Sequence, residues 1–242
     1  MKISIMIEDL SIIIPAYNEE KRIMPTLRKL REFTDESGID TEIIVVNDGS
    51  TDRTSAVIRS LNMPLVRVVE LPKNSGKFAA VKRGFEEAEK SWVLLYDADG
   101  AAPISALKTV EPHTEEAECV IGSRAMASSK IMQTQKWWRT ALGRIGNRVI
   151  RAFTGLPYAD TQCGFKLIRS DLAKRAADVM SIDGFAGDVE LLHIIRLHGG
   201  RVREVGIEWH DVPVSTVTFT DYFKTLGELL RIKRNIKKEI YK

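Results

Sequence analysis

The chain has 242 residues, of which 44% are hydrophobic and 29% charged, and it carries a formal charge of +3. That balance excludes the disordered and fibrous classes and leaves either one large α/β domain or two small ones. Two cysteines, Cys119 and Cys163, are too few for a disulfide framework and lack the spacing of a zinc site, so a reducing compartment is the expectation.

Near the N-terminus Glu8 and Asp9 interrupt the apolar residues, and no run anywhere reaches the roughly 18 to 20 that a membrane-spanning helix needs, so any membrane contact is expected to be peripheral. From residue 11 the chain alternates apolar runs with segments of helical spacing. SIIIPAY (11–17), EIIVVND (42–48), LVRVVEL (65–71), WVLLYDA (92–98) and CVIGSR (119–124) read as strands, and 19–33, 52–61, 77–90 and 103–110 as helices. Ser50 or Thr51 is a candidate N-cap for the second helix. Strands without in/out alternation are covered on both faces, which predicts a Rossmann-like, doubly wound, mostly parallel sheet.

In such sheets ligands bind beyond the carboxyl ends of the strands, and a polar cluster follows each of these runs. AYNEE offers the aromatic face of Tyr17 beside Asn18 and Glu19, as a nucleobase pocket could use. NDGSTD supplies Asp48, able to accept a hydrogen bond from a base N–H, although Asp and Ser at this place also cap helices. KNSGK sets Lys77 and free amides near a helix start, which favours phosphate, without the spacing of a P-loop. DADGA presents Asp97 and Asp99 at i, i+2, on one side of an extended chain. Two hard oxygen donors suit Mg²⁺ or Mn²⁺ with phosphate and water completing the shell; a solvent-facing Asp/Gly turn is the alternative.

After Arg124 the texture changes. From Lys130 to Arg151 every charged residue is a cation, and 132–153 interleaves them with Trp137, Trp138, Leu142, Ile145, Val149 and Phe153. Residues 221–241 repeat the design with Tyr222, Phe223, Leu226, Leu229, Leu230, Ile232 and Ile236. Both segments fit amphipathic helices at an anionic lipid surface or helices packed on the core with a solvated basic face. No nucleic-acid-binding signature accompanies the basic stretch, so no nucleic acid partner is expected. GFAGDVELLH (184–193) brings Asp188 and Glu190 to a helix start, where acids also serve the helix dipole. His193 and His198 read as structural or surface residues, and His210 is left undecided.

PAYNEE, NDGSTD, NSGK, DADGA, GSR and DTQCGFK, in that order, resemble the family 2 glycosyltransferases of the GT-A fold, over about residues 9 to 210. The string DTQCGFK (160–166) is similar to the dolichyl-phosphate β-glucosyltransferase branch. The resemblance implies a catalytic domain over 1–210 followed by a basic amphipathic helix over 211–242. It implies a metal-dependent, inverting hexosyltransferase that moves glucose from UDP-glucose to a polyprenyl or dolichyl phosphate for glycosylation. Its place would be the cytoplasmic face of a membrane, bound peripherally. Mannose transfer from GDP-mannose, another family 2 reaction in cell-surface polysaccharide synthesis, and a non-catalytic nucleotide-sugar-binding protein are the alternatives.

Carried over by residue, the resemblance assigns Pro15, Ala16, Tyr17, Asn18 and Glu19 to the nucleoside pocket, with Asp48 on the base and Lys77 near the nucleotide or sugar. Asp97, Ala98 and Asp99 match the DxD motif that holds Mg²⁺ or Mn²⁺ against the diphosphate. Arg124 and Arg139 match acceptor-phosphate positions, Gln162, Gly164, Phe165 and Lys166 would line the acceptor side, and Asp188 matches an acid that faces the donor sugar or acts as a base. Two residues depart from the pattern: Asn47 stands where an Asp is frequent, and Ala101 where mannosyl-transferring relatives often carry Gln.

Overall fold

Neighbouring residues of a strand point to opposite faces, so a run that is apolar at every position must be covered twice. The computed structural model, which describes residues 7–132, 150–151, 153–210 and 219–242 (side chains of 219–223 excepted), has this arrangement. The first half alternates β1 (Asp9–Ala16), α1 (Ile23–Ser37), β2 (Asp40–Asn47), α2 (Thr54–Ser60), β3 (Val66–Glu70), α3 (Lys77–Glu87) and β4 (Trp92–Tyr96). β5 (Cys119–Ser123), β6 (Lys130–Ile131), β7 (Phe165–Arg169), β8 (Val202–Gly206) and β9 (Glu208–Trp209) follow. The later helices are α4 (Leu107–Val110), α5 (Ser170–Val179), α6 (Gly187–Leu197) and α7 (Phe219–Lys237).

Among the described residues the main sheet has seven strands in the order β3-β2-β1-β4-β7-β5-β8, and β6 pairs β9 in a second one. Alternate residues feed two cores. Ile13, Ile44, Val46, Val93 and Leu95 meet α3, α5, α6 and α7 on one face, while Leu10, Ile12, Ile14, Ile43, Val45 and Leu94 meet α1 and the 104–110 segment on the other. Leu229 and Ile232 of α7 lie in the first of these cores, whereas Leu226 and Leu230 are exposed. Among the described residues no helix is long and apolar enough to cross a membrane.

Several expectations are corrected. The first helix starts at Ile23 instead of 19, because Glu19 to Arg22 turn first, with the Arg22 N–H donating to the Glu19 carbonyl (2.9 Å). Residues 103–110 form a 3-10 turn over Ile104–Ala106 before α4. Neither Ser50 nor Thr51 caps α2. Asp52 Oδ1 accepts the Thr54 N–H (2.9 Å), and Ser50 instead ties β2 to the first loop through the Asn18 N–H (2.9 Å). Finally, FKLIR within the presumed acceptor segment is a central strand, β7, antiparallel to both β4 and β5. The expected 132–153 helix falls mostly outside the described residues, of which Ile150, Arg151, Phe153 and Thr154 are helical.

Candidate active site

The carboxyl ends of β1, β2, β4 and β5 and the starts of α3 and α6 gather the polar residues singled out above. Asn18, at φ 55°, accepts the Thr51 N–H at its Oδ1 (2.9 Å), so the first two loops form one rim. Pro15 is half-buried and Ala16 buried, while Tyr17 and Asn18 are exposed on that rim. Asn47 reaches the other way: its amide donates to Glu70 (2.6 Å) and Ser55 (2.8 Å). A carboxylate there could not donate, which gives Asn47 a physical reason to differ from Asp.

Asp48 is buried, and its two oxygens accept the N–H groups of Ser75 (2.8 Å) and Gly76 (2.9 Å). It therefore fastens the loop that leads into α3. Burial outweighs these bonds and leaves its carboxyl above the ordinary range. Gly76 has φ 110°, and a Cβ on it would stand 2.3 Å from the Asp183 carbonyl oxygen. Only glycine lets the two loops approach so closely.

Lys77, the first residue of α3, donates to Asp97 Oδ1 at 2.8 Å. Burial opposes its charge, but Asp97 and Asp188 prevail and hold the ammonium well above its usual pKa. The two carboxylates of DADGA behave differently. Burial pushes Asp97 up, yet Lys77, Lys166 and Arg124 outweigh it and keep Asp97 below the ordinary range. Asp99 is raised, first by burial and then by Asp97; Glu19 is raised too, by burial and then by Asp99 and Asp97 after the opposing pull of Arg22. Ala98 is buried between the two aspartates. Gly164 touches Asp97 so closely that a Cβ would lie 1.9 Å from Oδ2.

This donor set suits a divalent cation. Burial and the neighbouring Asp97 charge raise Asp99 against the partial relief of the Ala101 N–H, Arg22 and Lys77, and a bound cation would offset both. Among the described residues no three His, Cys, Asp or Glu side chains are grouped to hold a metal alone, so two carboxylates with diphosphate oxygens and water is the shell that fits. His210 lies beside this loop: its N–H donates to the Ala101 carbonyl (2.8 Å), while its imidazole meets Glu208 (2.6 Å).

Arg124, just beyond β5, is gripped by Asp160. Its Nε and one terminal nitrogen donate to the two carboxylate oxygens (2.7 and 2.9 Å), and its backbone N–H adds a third bond (3.0 Å). Trp209 lies under the guanidinium, 4.9 Å away, and the other terminal nitrogen has no hydrogen-bond partner among the described residues. Glu204 of β8 steadies Asp160 by accepting its N–H (2.8 Å). Asp160 and Trp209 together fix the plane and orientation of the guanidinium. Arg139 lies outside the described residues.

Lys166 needs correction. It has no exposed surface, donates to the Cys163 carbonyl (2.6 Å) and pairs with Asp188. A side chain sealed under the sheet ends cannot line an acceptor groove; it is the counter-charge of Asp188, itself only 2% exposed. Phe165 is likewise core, edge-on to Tyr96 at 5.9 Å. Gln162 remains half-buried near Arg124's partner Asp160, to which its N–H donates (3.3 Å). Sequence reasoning missed Asp160 as the residue that orients Arg124, although it begins the DTQCGFK string. His193 and His198 are structural, the first edge-on to Tyr241 and the second bonded to its carbonyl.

A model of the glycosyl transferase family 2 matches residues 11–176. A dolichyl-phosphate beta-glucosyltransferase of Trichomonas vaginalis is 34% identical over 92% of this chain and 72% of its own length. One from Drosophila melanogaster is 33% identical over 87% and 69%. Among solved structures, mannosyl-3-phosphoglycerate synthase from Rubrobacter xylanophilus superposes with a TM-score of 0.72 at 15% identity, over 96% of this chain and 74% of that one. Glucosyl-3-phosphoglycerate synthase from Mycobacterium tuberculosis, in complex with Mn²⁺, UDP and phosphoglyceric acid, gives 0.70 at 16% identity, over 93% and 77%. At such identities the structural likeness establishes the GT-A type of fold and no more.

Proposed function

Because the chain belongs to glycosyl transferase family 2, we propose that it moves glucose from UDP-glucose onto the phosphate of a dolichyl-type polyprenyl lipid, with inversion at the sugar. The observation that carries this reading is the grouping of Asp97, held by Lys77 at 2.8 Å, and Asp99 after β4 with the Asp160-clamped Arg124 after β5. One end of that cluster has the chemistry to hold a metal diphosphate, and the other offers a guanidinium to a second phosphate. The names of the relatives support both the sugar and the acceptor.

A phosphate monoester is already anionic near neutrality, so its oxygen needs no strong base. Mg²⁺ or Mn²⁺, held by Asp99 with Asp97, would supply charge to the departing diphosphate. Lys77, at the N-terminus of α3, can add its own charge there. Arg124, pre-aimed by Asp160 and Trp209, holds the acceptor phosphate in line with the anomeric carbon. Asp188, sealed against Lys166, does not itself reach the sugar; its charge supports Lys77 from beneath the strand ends. The enzyme works peripherally at the cytoplasmic face of a membrane, where the lipid tail stays in the bilayer.

The test is incubation of the purified protein with UDP- and GDP-sugars, a short polyprenyl phosphate and Mg²⁺ or Mn²⁺, with identification of the glycolipid by mass. Glucosyl lipid from UDP-glucose is expected; product from GDP-mannose alone overturns the donor, and no glycolipid from any sugar overturns the reaction.

A further inference from the structure

Glu190 is fully buried and has no part in the reaction above, yet four donors converge on its carboxylate. Ser181 gives its N–H (3.1 Å) and hydroxyl (2.8 Å), Ile182 its N–H (2.8 Å), and Tyr241 its hydroxyl (2.6 Å). Tyr241 lies beyond the end of α7 and has no exposed surface. Asn235 of α7 joins the cluster, its amide donating to Ser181 Oγ (2.9 Å) and to the Tyr241 oxygen (3.2 Å). Higher on the same helix, Glu228 accepts the Ala186 N–H (3.0 Å). Among the described residues no side chain of α6 itself caps its N-terminus, and Glu228 of α7 takes the Ala186 N–H there.

Asp188 and Glu190 share the first turn of α6. At 3.6 residues per turn they point roughly 200° apart. One is tied to Lys166 on the sheet side and the other to Tyr241 on the α7 side. A turn anchored on opposite faces can neither roll nor tilt without breaking a buried bond. The preceding loop is pinned as well, since the Phe78 N–H in the first turn of α3 donates to the Asp183 carbonyl (2.8 Å). The segment 181–190 thus fixes how Asp188 stands relative to Lys77.

We propose that Glu190, Tyr241 and Glu228 are positioning residues for Asp188, which makes α7 and the residues after it part of the catalytic apparatus. The inference rests on the reading in which Lys77, supported by the Asp188 charge, meets the donor diphosphate.

The experiment combines kinetics with hydrogen exchange on the full chain. Tyr241→Phe keeps the ring and removes one donor; kcat is expected to fall on the order of tenfold with the donor KM little changed. In an Asp188→Asn background the same change should cost almost nothing further, because residues acting through one group are not additive. Glu228→Ala should lower kcat similarly, and Glu228→Gln, whose amide oxygen still accepts the Ala186 N–H, should restore it. Exchange should rise in 181–192 and stay constant in β1 and β2. Full additivity in the cycle, equal losses in both Glu228 variants, or unchanged exchange in 181–192 each overturns the proposal. Wild-type protein that transfers no sugar sinks the reaction instead, and exchange in Tyr241→Phe then judges the anchor by itself.

Discussion

Asp97 and Asp99 stand two residues apart and titrate in opposite directions. Asp97, gripped by Lys77, contributes stability above its unfolded pKa that is lost as pH falls through its depressed folded value. Asp99 has the reverse sign. Its folded pKa is raised, so its ionised form costs stability at neutral pH, and the cost fades as pH drops toward 3.8, the ordinary value. A cation that relieves Asp99 competes with that proton. Mn²⁺ should therefore raise Tm by an amount that shrinks as pH falls from neutrality toward the ordinary carboxylate value, and Asp99→Ala should abolish both the shift and turnover. A Tm shift that stays constant down to that value, or one retained in the variant, contradicts this assignment. On the acceptor side, Asp160→Asn leaves Arg124 charged but removes its bidentate clamp. Acceptor KM should rise on the order of tenfold while UDP affinity, measured by titration calorimetry, stays constant.

The parallel strands were legible because burial on both faces writes itself as unbroken Ile, Val and Leu. β7 was not, since five residues holding both Lys166 and Arg169 look amphipathic, and only the tertiary fold reveals that Asp188 neutralises the lysine. Site carboxylates at strand ends were visible for the same reason as the strands; their partners were not, because Arg124 and Asp160 are 36 residues apart and Lys166 and Asp188 are 22 apart. The loop before α3 gives a test at this scale. KNSGK suggested free amides for phosphate, but the Ser75 and Gly76 amides are bound to Asp48. The glycine itself is needed for its φ of 110° and for its contact with Asp183. Gly76→Ala should cost about 1–3 kcal/mol in thermal or urea unfolding and lower kcat by displacing Lys77. A variant as stable and active as wild type would show that the loop can yield.

At the scale of the molecule the two α7 faces carry different physics. Leu229 and Ile232 are sealed in the core beside α6, so Leu229→Ala or Ile232→Ala should cost about 2–5 kcal/mol of stability through the cavity left behind. Leu226 and Leu230 are 41% and 53% exposed on a helix whose last turn is basic, with Arg234 and Lys237. An enzyme whose acceptor phosphate belongs to a membrane lipid needs an apolar, cationic surface outside its core, and these positions have that character. Replacing Leu226 and Leu230 with Glu should leave urea unfolding within about 0.5 kcal/mol of wild type, because neither side chain supports the core. It should also release the protein from vesicles containing anionic lipid and raise KM for long-chain acceptor, with a short-chain acceptor turned over as before. Sedimentation with vesicles separates the two faces: undiminished binding of the double Glu variant would refute docking through α7, while weakened binding in Leu229→Ala without loss of fold would move the contact to the wrong side of the helix.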